Sequence, residues 1–259
     1  MMDALAAARA IEAAHGQGKE LVTITVTSGP AAGQRYISTE RGILEGSLDD
    51  ALDAQARSLA DEVWTGRSAI YAQPLFAELH AVAEPLLVFG AGHIAVPFAN
   101  LARDLGFDVT VLDDREDFAQ PARFHDGIEV RHLDLQAPLR DLQLTERTFV
   151  VMLTRAHKHD FDCLRAVLEQ PVQPRYIGMI GSKRRVRAAF TALLAGGATR
   201  AQLATVHAPV GIDIGAETPA EIAVSIAAEL IQVRRGGAAQ AISRDARVLE
   251  RMLPEVSAS

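Results

Sequence analysis

The chain has 259 residues, a formal net charge of -7 and a composition that is 49% hydrophobic and 23% charged. The acidic balance argues against a general nucleic-acid binder, which needs a basic face, and no apolar run approaches the roughly eighteen residues that span a bilayer. One cysteine, Cys163, excludes an intrachain disulfide framework and a cysteine-based zinc site, so a cytoplasmic location is the expectation.

The alanine-rich N-terminus carries Asp3, Arg9 and Glu12, and it reads as a helix rather than a signal peptide. Leu21 to Thr27 alternate around β-branched residues and predict a strand. Gln34 to Thr39 pair back on it across a Ser28-Gly29-Pro30 turn. Ser47 is a candidate cap for a helix whose apolar positions are Leu48, Leu52, Leu59 and Val63. Ala69 to His80 reads as one further strand-like segment. Region 1–84 is thus expected to be a small α+β domain with no catalytic constellation, in which Trp64 serves packing.

Residues 85–115 carry the strongest local signal. Leu86 to Phe89 form an apolar run bounded by Pro85 and Gly90, as a short buried strand would be. A Gly90-Ala91-Gly92 turn follows, then a helical pattern of Ile94, Phe98, Leu101 and Leu105 that stops at Gly106. Val109 to Leu112 predict a second strand, closed by Asp113, 21 residues beyond Gly92. This is a βαβ unit with a dinucleotide-type fingerprint. Gly90 turns the backbone. Gly92 lets a phosphate approach a helix N-terminus, where free N–H groups and the dipole favour an anion. Ala95 supplies close helix–strand packing, and Asp113 is placed to accept from a ribose. His93 faces whatever lies above the turn.

Further strands are expected at Ile128 to Val130, Phe149 to Leu153 and Arg175 to Ile180. Thr218, Pro219 and Glu221 open a last helix with a cap, a proline at the first position and an acid at the third. Alternating strands and helices imply a parallel sheet. The fold class is α/β: a Rossmann-like parallel sheet domain over 85–237, preceded by the small α+β domain, with a tail over 238–259.

Open parallel sheets bind ligands at the carboxyl ends of their strands, and the loops at those ends are rich in polar groups. Thr154 to Asp160 contains Arg155, His157, Lys158, His159 and Asp160, as a cationic wall or a solvated connector. His157, His159 and a carboxylate are also candidate metal ligands. Gly178 to Arg185 places Gly181, Ser182 and Lys183 at a helix start. There basic residues oppose the dipole, and a bound phosphate would compensate. Val206 to Glu217 is a long glycine-punctuated loop with His207, Asp213 and Glu217. Cys163 is read as a small core residue, with a reactive thiol as the sharper alternative.

Gly90-Ala91-Gly92-His93, Val111 to Arg115, Thr154 to Asp160, Tyr176 to Arg184 and His207 to Pro219 occur in this order and at these separations. Together they resemble the xanthine dehydrogenase accessory protein family, of the XdhC/CoxI type, over about residues 85–235. The resemblance implies a maturation factor rather than a catalyst. It would bind the molybdenum cofactor (molybdopterin or its dinucleotide form), assist its sulfuration by a cysteine desulfurase, and deliver it to a molybdenum hydroxylase apoenzyme of the xanthine dehydrogenase type.

In this reading Gly90, Gly92, Gly181, Ser182 and Lys183 meet phosphate. His93, Arg155, His157 and His207 line the pocket, with Arg115 beside Asp113, and Asp213 and Glu217 beside His207. Ser47 stands where such proteins usually carry a cysteine. A homodimer is expected from the faces left to bury. The alternatives are an NAD-dependent oxidoreductase, for which Asp113 favours NAD over NADP, and a degenerate member that binds only a partner protein.

Overall fold

The computed structural model describes residues 2–41, 43–45, 50–66, 68–133, 144–154 and 157–240. Ser47, Arg155 and residues 241–259 of the expected tail lie outside them. The chain divides into two units, Met1–Ala83 and Glu84–Ser259.

The first unit contains α1 (Ala4–Gly16), β1 (Leu21–Val26), β2 (Arg35–Glu40), β3 (Ile43–Glu45), α2 (Asp50–Trp64), β4 (Ala69–Ala72) and β5 (Leu75–His80). Its five strands form an antiparallel sheet in the order β3-β2-β1-β5-β4. The segment 69–80, expected as one strand, is a hairpin. Gln73-Pro74 interrupts it, because proline cannot donate to a ladder. Val22, Ile24, Val26, Leu75 and Ala77 pack against Ala56, Leu59, Ala60 and Val63 of α2. Trp64 joins this cluster and donates Nε1–H to Ser38 Oγ at 2.9 Å, a packing role with its polar edge satisfied.

The second unit contains β6 (Glu84–Phe89), α3 (Ala95–Asp104), β7 (Phe107–Asp113), β8 (Glu129–His132), β9 (Phe149–Met152), α4 (His157–Leu168), β10 (Tyr176–Met179), α5 (Lys183–Ala195), α6 (Arg200–Ala204), β11 (Val206–His207) and α7 (Pro219–Arg235). Six strands form a parallel sheet in the order β11-β10-β9-β6-β7-β8. The chain winds outward one way from β6 and the other way from β9, so the order reverses between these two. β11 has only two residues and was not expected; pairing with β10 makes it a strand, and turns the 206–217 loop into a fourth loop leaving a carboxyl end.

The sheet is buried on both faces, as parallel sheets are. Leu86, Val88, Val109, Val111, Phe149 and Val151 face α3 and α7. Phe89, Leu112, Val150, Met152, Ile177 and Met179 face α4 and α5. Ala95 and Ala99 are fully buried, which lets α3 lie close to the strands. Cys163 is 0% exposed within the second cluster, so it is a core residue. Thr218 and Glu221 form the expected capping box of α7. Among the described residues no helix is long and apolar enough to cross a membrane.

The amino-terminal end of the sheet is tied by ions. Arg175 Nη1 donates to Glu84 Oε1 at 2.6 Å, and Arg234 Nε lies 3.8 Å from Glu84 Oε2. Arg234 also donates to Leu105 O and covers the Phe107 ring at 4.4 Å. Glu84→Gln removes the carboxylate charge that balances these two guanidinium groups. Because Arg175 is partly exposed, the expected cost is discounted to about 1–2 kcal/mol, seen as a lower urea midpoint with an unchanged slope.

Candidate functional site

The Gly90–His93 turn leaves β6 beside the end of β9, where the strand order reverses. Gly90 has φ +102°, and an added Cβ would lie 2.8 Å from Leu153 O and 2.9 Å from Leu153 C. Its N–H donates to Leu112 O at 2.7 Å, and Leu153 N–H donates to Phe89 O at 2.7 Å. Gly90 therefore lets two strand ends close on one another. Gly92 differs: its φ is not positive, and an added Cβ would meet no atom within 4 Å. It faces open space at the start of α3, where Ile94 at the cap position provides no side-chain hydrogen bond. In that first turn Val96 N–H already donates to Gly92 O and Pro97 has no N–H, so the Ala95 N–H is the donor left for an anion. His93 is exposed at the same place.

The peptide between the glycines is held from both sides. Ala91 N–H donates to Asp113 Oδ2 at 2.6 Å, and Arg123 Nη1 donates to Ala91 O at 2.8 Å. Asp113 is 1% exposed. Its Oδ1 also accepts from Arg115 N–H and Arg115 Nε, and its Oδ2 from Arg115 Nη2, at 2.8–2.9 Å. Burial alone would raise this carboxyl's pKa; the hydrogen bonds from Arg115 and Ala91 outweigh burial and hold it below the ordinary aspartate value. Two donors on each oxygen fill its acceptor capacity. The carboxylate expected to meet a ribose thus fastens the turn instead. Arg115 stacks over Phe118 at 3.5 Å and Arg123 lies over the same ring at 4.9 Å, so the loop after β7 packs as one piece.

A second helix start faces the same edge. Ser182 caps α5, accepting from Arg185 N–H, and the first turn carries Lys183, Arg184 and Arg185 with no acid. Ser182, Lys183 and Arg184 are exposed. Gly181 has room for a Cβ with only a mild contact at 3.4 Å to Arg185. Gly178 does not: a Cβ there would be 2.8 Å from Tyr176 Cε1 and 2.7 Å from Val210 Cγ2.

At the end of β11, His207 Nδ1 lies 2.8 Å from Glu229 Oε1 of α7. Glu229 Oε2 accepts from Tyr176 OH at 2.9 Å and from Gly211 N–H at 2.6 Å. Ser225 Oγ donates to Ile212 O at 2.6 Å, so α7 fastens the 208–212 turn at two points. Asp213 and Glu217 are exposed; Asp213 accepts from Gly215 N–H at 3.4 Å as a local turn, and no hydrogen bond joins either to His207. His157 opens α4, the helix leaving the β9 end, while Arg155 is outside the described residues.

Three contributors were not expected: Arg123, Tyr176 and Glu229. Glu229 had a signal, as an acid beside the apolar stripe Ile222, Ile226, Leu230 and Val233, where a solvated residue would not be placed. Arg123 had none, because its partner is 32 positions away.

The chain and its fold are similar to known proteins. The model of the XdhC Rossmann domain matches residues 86–230. The chain is 32% identical over 204 residues to the uncharacterized protein YqeB of Escherichia coli (strain K12), covering 75% of this chain and 37% of YqeB. It is 35% identical over 150 residues to a probable xanthine dehydrogenase subunit of Bacillus subtilis (strain 168), covering 58% of this chain and 43% of that protein. It thus spans less than half the length of these curated relatives. The fold is also similar to the crystal structure of a xanthine dehydrogenase from Bacillus halodurans, with a TM-score of 0.63, 25% identity, and coverage of 93% of this chain and 67% of that one. With more than half of its residues matched by the family model, the chain belongs to the XdhC Rossmann domain family.

Proposed function

We propose that this protein binds the phosphorylated pterin of the molybdenum cofactor at the carboxyl edge of its parallel sheet and hands it to a xanthine dehydrogenase-type hydroxylase. The observation that carries this reading is the Gly90–His93 turn: Gly92 opens onto free space at a helix N-terminus, and the peptide before it is clamped by Asp113 and Arg123. That is a cradle for an anion. The basic start of α5 supplies a second, with Lys183 as a mobile charge.

The chemistry of Asp113 favours this cargo over NAD. A nicotinamide dinucleotide needs an acceptor for its ribose hydroxyls, and here that carboxylate already holds four donors. The relatives named for xanthine dehydrogenase support the client class. Sulfuration by a desulfurase would use a sulfur carrier other than Cys163, which is enclosed in the core.

Gly92→Val tests the reading. Because the added side chain starts in open space at an ordinary φ, the protein is expected to fold with an unchanged melting temperature. Bound pterin and molybdenum, assayed after purification from a cofactor-proficient host, should fall about tenfold or more, the loss expected when an ordered anion contact is blocked. Wild-type protein carrying no pterin above background, or a valine variant carrying as much as wild type, would sink the proposal.

A further inference from the structure

The carboxylate of Glu229 is 13% exposed and receives three donors. Two of them occupy Oε2. The Gly211 N–H is a donor in every state. Tyr176 OH is also fixed as a donor, because burial first and then Glu229 itself push the phenol's pKa far above its ordinary value. Oε1 is therefore left for His207, and a carboxylate oxygen can only accept. The neutral ring must carry its proton on Nδ1.

Nε2 then keeps its lone pair. It has no hydrogen-bond partner among the described residues, and the side chain is 39% exposed. The ring packs against Tyr176 at a tilt of 36°, with centroids 4.5 Å apart, and Tyr176 stacks in turn on Phe149. His207 pairs with Gly178, so it ends its strand beside the one that leads to Ser182 and Lys183.

We infer that Glu229 is a positioning residue that fixes the His207 ring proton on Nδ1 and so presents Nε2 as a proton acceptor at the ligand edge, where it takes the proton of an acidic X–H group, a thiol or a ring N–H, on the bound molecule. The X–H bond breaks and an Nε2–H bond forms. The electron pair stays on X, and the new imidazolium charge rests against the Glu229 carboxylate. This site reads a donor on the ligand, whereas the two helix starts read its anion. The inference goes beyond the proposed cargo and does not depend on the cargo's identity.

Glu229→Gln gives a sharp test. Gly211 N–H and Tyr176 OH still require an acceptor, so the amide must turn its oxygen toward them and its NH2 toward His207. The amide then donates to Nδ1, and the ring proton moves to Nε2. Nitrogen-15 histidine NMR on the full-length protein, at a pH alkaline enough for neutral rings, is expected to show Nδ1–H in wild type and Nε2–H in Glu229→Gln. Tyr176→Phe should keep Nδ1–H, because Glu229 remains a carboxylate.

Diethyl pyrocarbonate, which acylates a ring nitrogen bearing a lone pair, should label wild-type His207 about tenfold faster than in Glu229→Gln. An Nε2–H tautomer in wild type, or equal labelling in the two proteins, would overturn the inference. Both measurements are made without cofactor, so they stand or fall separately from the proposed function.

Discussion

Asp113→Ala is expected to lower the stability of the second unit by about 3–5 kcal/mol, the usual cost of removing one partner from a buried charged pair. The variant leaves the Ala91 N–H buried without an acceptor and strands the Arg115 guanidinium, whose side chain is only 21% exposed. Asp113→Asn should recover little, since its NH2 must face one of four donors. The pH dependence follows from the lowered pKa. A carboxyl whose folded pKa is depressed contributes its stability fully above the unfolded value of about 3.9, and loses it as pH falls through the folded value. Wild type should therefore lose stability below pH ~4 more steeply than Asp113→Ala, in urea titrations followed at a series of acid pH values.

The second large effect is expected for Gly90→Ala. Alanine at φ +102° carries a backbone penalty of about 1–2 kcal/mol. The new methyl group also meets Leu153 O at 2.8 Å, and that atom belongs to the backbone at a strand end, so no rotamer change relieves it. Overpacking of this kind costs about 1–3 kcal/mol more. A total of roughly 2–5 kcal/mol corresponds to a fall in melting temperature of roughly 4–20 °C. Calorimetry beside Gly92→Val makes the contrast between two glycines of one motif: the fold requires Gly90, whereas Gly92 faces open space and is proposed to serve a ligand. Equal melting temperatures for Gly90→Ala and wild type would contradict this assignment.

Much of the second unit was legible because its signals are local. The Leu86–Phe89 run, the Gly106 stop and the Thr218–Glu221 capping box each need only neighbours within a few positions. In the first unit the β1–β2 pair was legible for the same reason, whereas the break at Gln73-Pro74 was hidden inside a run of strand formers. β11 escaped because two residues have no periodicity; its ladder with Ile177 and Gly178 makes it a strand.

The site was half legible. The positions of Gly90, Gly92 and Asp113 followed from motif spacing. The role of Asp113 did not, because spacing places a carboxylate without saying who claims its oxygens. Arg115, two residues on, claims three of the four interactions. Glu229 and Tyr176 act on His207 from 22 and 31 positions away, the first once α7 lies on the sheet and the second once β11 pairs with β10. The segment at 181–183 was legible as a polar strand exit, since a plain connector needs few charges; the loop expected over 154–160 is shorter, because α4 already begins at His157, and residues 155–156 lie outside the described ones.

The double hold on Ala91 bears on how tightly an anion can be kept. A loose glycine loop would have to give up backbone freedom worth about 1–2 kcal/mol per residue each time a ligand arrived. Here that entropy is surrendered during folding, through Asp113 on the N–H and Arg123 on the carbonyl. Affinity at the turn is then limited by contacts and desolvation rather than by ordering. Under the proposed function, an anion held here would meet a turn already ordered by folding, so its retention would be set by the contacts it makes.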